Sequence, residues 1–342
     1  MTSAIPSRPK PITLSDVARA AGVSVATASK ALNGRAEVRH ETRELVIRTA
    51  KEMAFAPNAA ARSLTATRSG TVGLITSDLE GRFSIPIMMG AEDAFGAGKM
   101  SVFLCDARGD NIREQHHLDA LLSRRVDGII IVGANTNPRP SIARNLPVPV
   151  VYAYAPSENS SDLSIVSDNV QAGRIAAEHL IELGRRNIGH VTGDAGYSAA
   201  QDRTKGVEAG LRLAGLELAG GRSMFGQWNE AWGRGATRLL LEREPNVDAI
   251  VCGSDQIARG AIEALVELGK RVPDDVAVVG FDNWSVISTN TRPPLTSVDF
   301  GLEEVGRVAA QKLFAAIGGS TEAGVVLLEP RLVTRGSTAP LG

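Results

Sequence analysis

The stretch Thr13-Leu14-Ser15-Asp16-Val17-Ala18-Arg19-Ala20-Ala21-Gly22-Val23-Ser24 decides how this 342-residue chain is read. It opens on hydroxyl and carboxylate side chains able to cap a helix. Leu14, Val17, Ala18 and Ala21 recur at helical spacing and make one apolar face. Gly22 supplies the backbone freedom a tight turn needs, and Ser24 can cap a second helix from Val25 to Leu32. That helix ends before Asn33-Gly34, a pair suited to leaving a helix. A third amphipathic run covers about 40–53, with Leu45, Val46, Thr49, Ala50 and Met53 turned inward. Three short helices around a glycine turn match the helix-turn-helix plan, in which the second helix of the pair enters the DNA major groove. On spacing alone the pattern also fits a small helical bundle with no role on DNA.

Charge favours the first reading. The first 70 residues carry 11 Lys and Arg against 5 Asp and Glu, whereas the remainder carries 26 against 33. A basic head on an acidic body is the asymmetry expected when the head alone meets nucleic acid. The length suits two or three domains, each able to bury its own core. Cys105 and Cys252 cannot build a disulfide framework, and they read as small buried hydrophobes in a reducing compartment. No run of about 20 uncharged apolar residues suggests a membrane span. Residues 1–11 have no apolar signal-peptide region and read as a short disordered tail, so a cytoplasmic location is expected.

Residues 12–34, ITLSDVARAAGVSVATASKALNG, and the later APNAAARSL resemble the DNA-binding head of the lac repressor/galactose repressor family. The resemblance implies that Val25, Ala26 and Lys30 read bases and that Thr27 and Ser29 contact phosphates. Thr13, Ser24 and Asn33 match further backbone-contact positions. Hydroxyls, amides and helix N-termini fix register on phosphates, while outward side chains reach base edges. Lys30 can donate to guanine, and the methyls of Val25 and Ala26 can pack on thymine. Many family members have Arg at the position of Lys30, so its bidentate fork is missing here. Pro57–Leu64 is too short to be a stable helix by itself. In the family this hinge becomes helical when two copies pair on DNA, with Asn58 and Ala61 in it and Leu64 wedged into the minor groove. A plain interdomain linker is the alternative.

From Thr71 short apolar runs alternate with helical stretches. Strands are expected at 72–75, 102–104, 128–132, 148–151, 188–191, 249–251 and 276–279, and helices at 87–98, 114–124, 169–183, 202–214, 231–242 and 258–268. Nearly all-apolar strands between helices argue for parallel sheets covered on both faces. The resemblance continues to Thr338 and implies the two-lobed body of periplasmic sugar-binding proteins, with a small ligand in the cleft. The expected fold is therefore α/β: an all-α helix-turn-helix head (12–56), a hinge (57–70) and a two-lobed body (71–342). The crossings place lobe 1 at about 71–166 and 297–326, and lobe 2 at about 167–296 and 327–340.

Open α/β sheets bind ligands beyond the carboxyl ends of their strands. There Arg203 matches the family's effector-binding arginine, whose fork suits vicinal hydroxyls or a carboxylate. Asp282 matches a strand-end carboxylate that accepts from ligand hydroxyls, Trp228 a cleft aromatic, and Asp255 a residue near the cleft. Each also has a plainer reading: an Arg–Asp bridge between loops, a helix-capping Asp, a core Trp. Ser254 stands where an asparagine often binds hydroxyls, and Val132, Tyr154 and Phe300 occupy positions polar in several sugar-responsive members. Glu80-Gly81-Arg82-Phe83-Ser84-Ile85 departs from the family's common Asn-Pro-Phe pattern.

The sequence has no Walker loop, no strand-linked GxGxxG and no GxSxG elbow. The adjacent His116 and His117 point to different helix faces, so no metal, cofactor or enzymatic activity is expected. The expected function is a transcriptional regulator, a repressor and homodimer on a pseudo-palindromic operator, controlled by a small molecule, first of all a sugar. A planar effector such as an aryl glycoside or nucleoside, or control by a phosphoprotein, remains open within the family. A solute-binding module without DNA function would need a signal peptide and no basic head.

Overall fold

The computed structural model describes residues 12–32, 37–55, 68–77, 82–96 and 100–339. The chain divides into two compact units between Ser69 and Gly70. Asn33, Asn58, Ala61 and Leu64, and with them the hinge reading, lie outside the described residues.

The first unit holds α1 (Leu14–Ala20), α2 (Val25–Leu32) and α3 (His40–Glu52). Thr13 starts α1 with a reciprocal capping box: Asp16 N–H donates to Thr13 Oγ1, and Thr13 N–H donates to the Asp16 carboxylate. Gly22 turns the chain at φ 68°, a conformation costly for any side chain. Ser24 then caps α2 by accepting from Thr27 N–H at 3.1 Å. Val17, Ala18, Ala21, Ala28, Ala31, Val38, Val46 and Ala50 form the core. The inward placement of Leu45 needs correction. Its side chain is 38% exposed, because the buried stripe of α3 runs through Val46 and Ala50.

The second unit begins with β1 (Thr71–Thr76), α4 (Ser84–Phe95), β2 (Ser101–Asp106), α5 (Asn111–Ser123), β3 (Gly128–Val132), β4 (Val150–Ala153) and β5 (Leu163–Ser167). It continues with α6 (Asn169–Glu182), β6 (Ile188–Thr192), α7 (Ser198–Leu213), β7 (Met224–Phe225), α8 (Glu230–Arg243), β8 (Ala249–Cys252), α9 (Asp255–Glu267), β9 (Ala277–Phe281) and α10 (Ser285–Ser288). The closing elements are β10 (Thr296–Asp299), α11 (Leu302–Ile317), β11 (Gly324–Leu328) and β12 (Arg331–Val333).

Two six-stranded sheets result, ordered β11-β5-β4-β3-β1-β2 and β12-β10-β9-β8-β6-β7. Among the described residues every pairing is parallel except β10 with β12. Strands such as β3, β6 and β9 are buried along their whole length, as sheets covered by helices on both faces require.

The crossings fall slightly later than the sequence suggested. β10 pairs with β9, so lobe 2 extends through Asp299 rather than ending near 296. β11 pairs with β5, so lobe 1 keeps residues through Leu328. The three crossings are tied to one another: Ser167 Oγ donates to Phe300 O, and Asp168 N–H donates to Leu328 O. Helix α11, absent from the expected elements, drives Val305, Ala309, Ala310 and Leu313 into the lobe 1 core.

Candidate nucleic-acid interface and effector cleft

On the first unit, capping of α2 leaves its outer face available. Val25 is 47% exposed, and Ala26 and Lys30 are exposed beside it, whereas Ala28 and Ala31 are buried. Thr27 and Ser29 are partly buried. Thr13 and Ser24 sit at the two helix starts, where each hydroxyl already serves as a cap. The Lys30 ammonium meets Glu37 at 2.5 Å, both side chains well exposed. Such an exposed ion pair is weak in water, so the lysine is free to exchange Glu37 for another acceptor.

In the second unit the carboxyl ends of the strands bring residues of both lobes around a cavity of about 200 Å³. Arg203, Trp228, Asp282 and Tyr154 all line it. Arg203 reaches it from the second turn of α7 and is only 4% exposed. Its Nε donates to Asn169 Oδ1 at 2.9 Å, and Nη1 donates to the carbonyl of Gly253. The guanidinium is held between rings, 4.6 Å from the centroid of Phe300 and 5.0 Å from that of Phe281. Burial draws its pKa down, and Asp282 opposes that shift.

Asp282 follows β9 with φ 95°, and Asn283 follows with φ 47°. Neither residue adopts such backbone angles without cost, and strain of this kind collects at ligand sites. The Asp282 side chain is 3% exposed and faces two cations: Arg203 Nη2 at 3.7 Å and, from the other lobe, Arg82 Nη2 at 2.9 Å. Tyr154, at φ 72°, stacks on Phe83 with centroids 5.0 Å apart. Trp228 meets Tyr197 edge to face at 5.9 Å. Its ring passes so close to Gly193 that a Cβ there would lie 2.1 Å from it.

Three residues expected in the cleft do not line this cavity. Ser254 is fully buried and caps α9 by accepting from Ile257 N–H. Asp255 lies beneath the site, accepting from Ser297 Oγ at 2.6 Å and from Trp284 N–H at 2.7 Å. Burial, with the charge of Asp282 added, raises its pKa. Phe300 packs under the Arg203 guanidinium and against Phe281. Phe300 thus supports Arg203, Asp255 holds the loop after β9 through Trp284, and Ser254 starts α9.

The sequence reading missed Arg82, Phe83, Asn135, Thr136 and Tyr197, which with Ala134 and Ala199 make up the rest of the lining. The available signal for the first two was the break from the family pattern at 80–85. Arg82 also donates to Gln256 Oε1 of the opposite lobe at 3.2 Å, with its guanidinium 4.7 Å from the Phe83 ring and 5.1 Å from the Trp284 ring. On the far rim, Ser198 N–H donates to Asn137 Oδ1 at 2.7 Å and Ala199 N–H to Thr136 Oγ1 at 2.9 Å. Tyr197, the residue before α7, gives no side-chain cap, so the free amides at that helix end are satisfied from the other lobe. Among the described residues no cluster of three His, Cys, Asp or Glu side chains could hold a metal ion. No described helix is long and apolar enough to cross a membrane.

Comparison with known proteins agrees with both halves of this geometry. Residues 13–58 match the model of bacterial regulatory proteins of the lacI family, and residues 177–338 match a periplasmic binding protein-like domain. Catabolite control protein A of Priestia megaterium is 33% identical over 96% of this chain and 99% of its own length. The transcriptional regulator CelR of Thermobifida fusca is 34% identical over 95% and 98%. The ribose operon repressor of Escherichia coli K12 is 32% identical over 95% and 99%. Among solved structures, the lac repressor dimer bound to operator and an anti-inducer superposes with a TM-score of 0.81, at 29% identity over 96% of this chain and 99% of that one. A CelR–cellobiose complex superposes at 0.65, at 32% identity over 96% and 100%. With relatives matched over nearly their whole length and the helix-turn-helix intact, the chain belongs to the LacI family of DNA-binding transcriptional regulators.

Proposed function

We propose that the protein is a cytoplasmic repressor that binds a pseudo-palindromic operator as a homodimer and answers to a sugar or related polyol held between its lobes. The observation that carries this reading is the buried Arg203–Asp282 pair facing the aromatic rings of Tyr154 and Trp228 across a cavity of sugar-like size. A fixed guanidinium and carboxylate offer donors and acceptors to hydroxyls, and aromatic faces pack on the apolar faces of a sugar ring. The ring-lined cavity also admits a nucleoside, but the sugar-linked names of the ribose operon repressor and of the CelR–cellobiose complex favour a sugar.

On the DNA side, Val25, Ala26 and Lys30 read bases, while Thr13, Ser24, Thr27, Ser29 and Asn33 fix register on phosphates. Asn58, Ala61 and Leu64 act in the hinge by their match to the family pattern. Dimerisation is supported by exposed apolar side chains on lobe 1, Ile85 and Met89 of α4 with Phe103 and Leu104 of β2. Ligand and operator binding are coupled, so each changes the affinity of the other by the same factor.

Selection from random DNA at fixed salt supplies the operator, since phosphate contacts make affinity salt-dependent. Fluorescence anisotropy on that operator, with and without a panel of sugars and nucleosides, then measures the coupling. A change of about 5–150-fold with one sugar is expected. Failure to enrich any paired half-sites, or operator affinity indifferent to every sugar while a nucleoside shifts it, refutes the reading.

A further inference from the structure

The interlobe cavity has more positive charge than a neutral sugar needs. Arg82 and Arg203 both turn their guanidinium groups to the single carboxylate of Asp282, at 2.9 and 3.7 Å. Both are largely withdrawn from water, Arg82 being 15% and Arg203 4% exposed. No other charged side chain lines the cavity among the described residues. Asp255 stands behind this group, already engaged by Ser297 and Trp284, and burial favours its neutral form. Asp299, at the neighbouring mouth of the cleft, is committed to Arg331 at 2.8 Å, and Glu303 stands on that mouth's rim.

We propose, resting on the reading of the cleft as a polyol site, that the effector is an anionic polyol, a sugar acid or sugar phosphate, whose anion takes Arg82 as its partner. With a sugar acid, or a sugar phosphate in its monoanionic form, the charges then balance in two pairs, Arg82 with the ligand and Arg203 with Asp282. A neutral sugar has two poor choices. It leaves the Arg82–Asp282 bridge in place and loses the donors of Arg82, or it breaks the bridge and strands a buried cation, which is strongly unfavourable. An anion avoids both, because a guanidinium exchanges one carboxylate for another with little change in geometry. The planar group of Arg82, stacked by Phe83 and Trp284, is already oriented for such an exchange. Tyr154, Tyr197 and Trp228 remain for the carbon skeleton.

Isothermal titration calorimetry of the full chain tests this with matched pairs of probes. D-glucuronate and D-gluconate are compared with D-glucose, D-galacturonate with D-galactose, and D-glucose 6-phosphate separates phosphate from carboxylate. At least one anion should bind tenfold or more tightly than its neutral parent, and R82Q should abolish that preference while R82K keeps most of it. Neutral parents binding as tightly as their anions in every pair, or a preference that survives in R82Q, overturns the proposal and leaves the polyol reading standing. If R82Q does not fold, the comparison of wild-type affinities decides. Binding by none of the sugars, charged or neutral, overturns the polyol reading itself.

Discussion

Arg203→Ala is the perturbation whose cost follows most directly from the geometry. The substitution removes the donor to Asn169 Oδ1, the donor to the Gly253 carbonyl and one of the two cations facing Asp282, all in surroundings closed to water. Breaking a buried charged pair by removing one partner costs about 3–5 kcal/mol, because the other partner keeps its desolvation penalty. The guanidinium also fills the space over Phe281 and Phe300, so a cavity adds to the loss. Arg82 still reaches Asp282, which moves the expected value toward the lower end, about 3 kcal/mol. For a body of this size that corresponds to roughly 6 °C in Tm.

Trp228, Trp232 and Trp284 are the three tryptophans of the chain, and all belong to lobe 2, so intrinsic fluorescence in urea follows that lobe without interference from the DNA-binding unit. The control is D282N on the R203A background. If the penalty is a stranded carboxylate, neutralising it recovers part of the loss, and the two changes are not additive. A loss below about 1 kcal/mol for R203A, or full additivity with D282N, would show that Arg82 alone neutralises Asp282 and that the buried pair is not what holds the loop after β9.

Two further predictions concern the surroundings of that pair. Gly193→Ala places a Cβ against Trp228, so overpacking of about 1–3 kcal/mol is expected together with weakened effector binding, checked by thermal shift and calorimetry; unchanged ligand affinity would mean that Trp228 is outside the ligand's reach. Asp255→Asn should stabilise the protein increasingly as pH rises. The folded-state pKa of Asp255 is raised, so above about pH 4 the folded protein holds a proton that the unfolded chain releases, and wild-type stability falls through that window. The groups around it, Asp282, Arg82, Ser297 and Trp284, are shared by both proteins. The difference in urea midpoint between D255N and wild type should therefore widen from pH 5 to pH 9, and a constant gap would contradict a raised pKa.

The parts of this structure legible in the sequence are those fixed by neighbours along the chain. Thr13 with Asp16 and Ser24 with Thr27 are contacts three residues apart, and they set the starts of α1 and α2. Strands β3, β8 and β9 read directly because complete burial leaves no polar face to confuse them, whereas β5, equally buried but carrying Ser164 and Ser167, did not stand out. Helix α11 carries an equally regular spacing through Val305, Ala309, Ala310 and Leu313. It escaped because the segment after Thr296 reads first as a return crossing and its small alanines give a faint apolar stripe. The site is different in kind. Ser254 sits directly before a helix, so the sequence already held its role as a cap, and the resemblance to a ligand position drew attention away from it. Arg82 could not be found by spacing, because its partner Asp282 lies 200 positions away and only the crossings bring them together.

Those crossings also explain how a small ligand can act at a distance. Among the described residues, two sets of contacts hold the lobes over the cleft. One is Arg82 with Asp282 and Gln256; the other is Thr136 and Asn137 on the first amides of α7. The second set does double duty, since parting the lobes there also uncaps the helix that carries Arg203. A ligand shifts such an equilibrium only by its difference in affinity for the two arrangements. One that leaves both rims intact and fills the cavity favours the closed arrangement; one that takes Arg82 from Asp282 trades a contact of the closed state for its own. On the proposed reading of the cleft, the arginine that bridges the lobes is also the group through which the charge of the ligand sets the direction of the response. In R82Q the rim at Thr136 and Asn137 still closes, so ligand binding and operator coupling should separate, the first weakened and the second changed in size or sign.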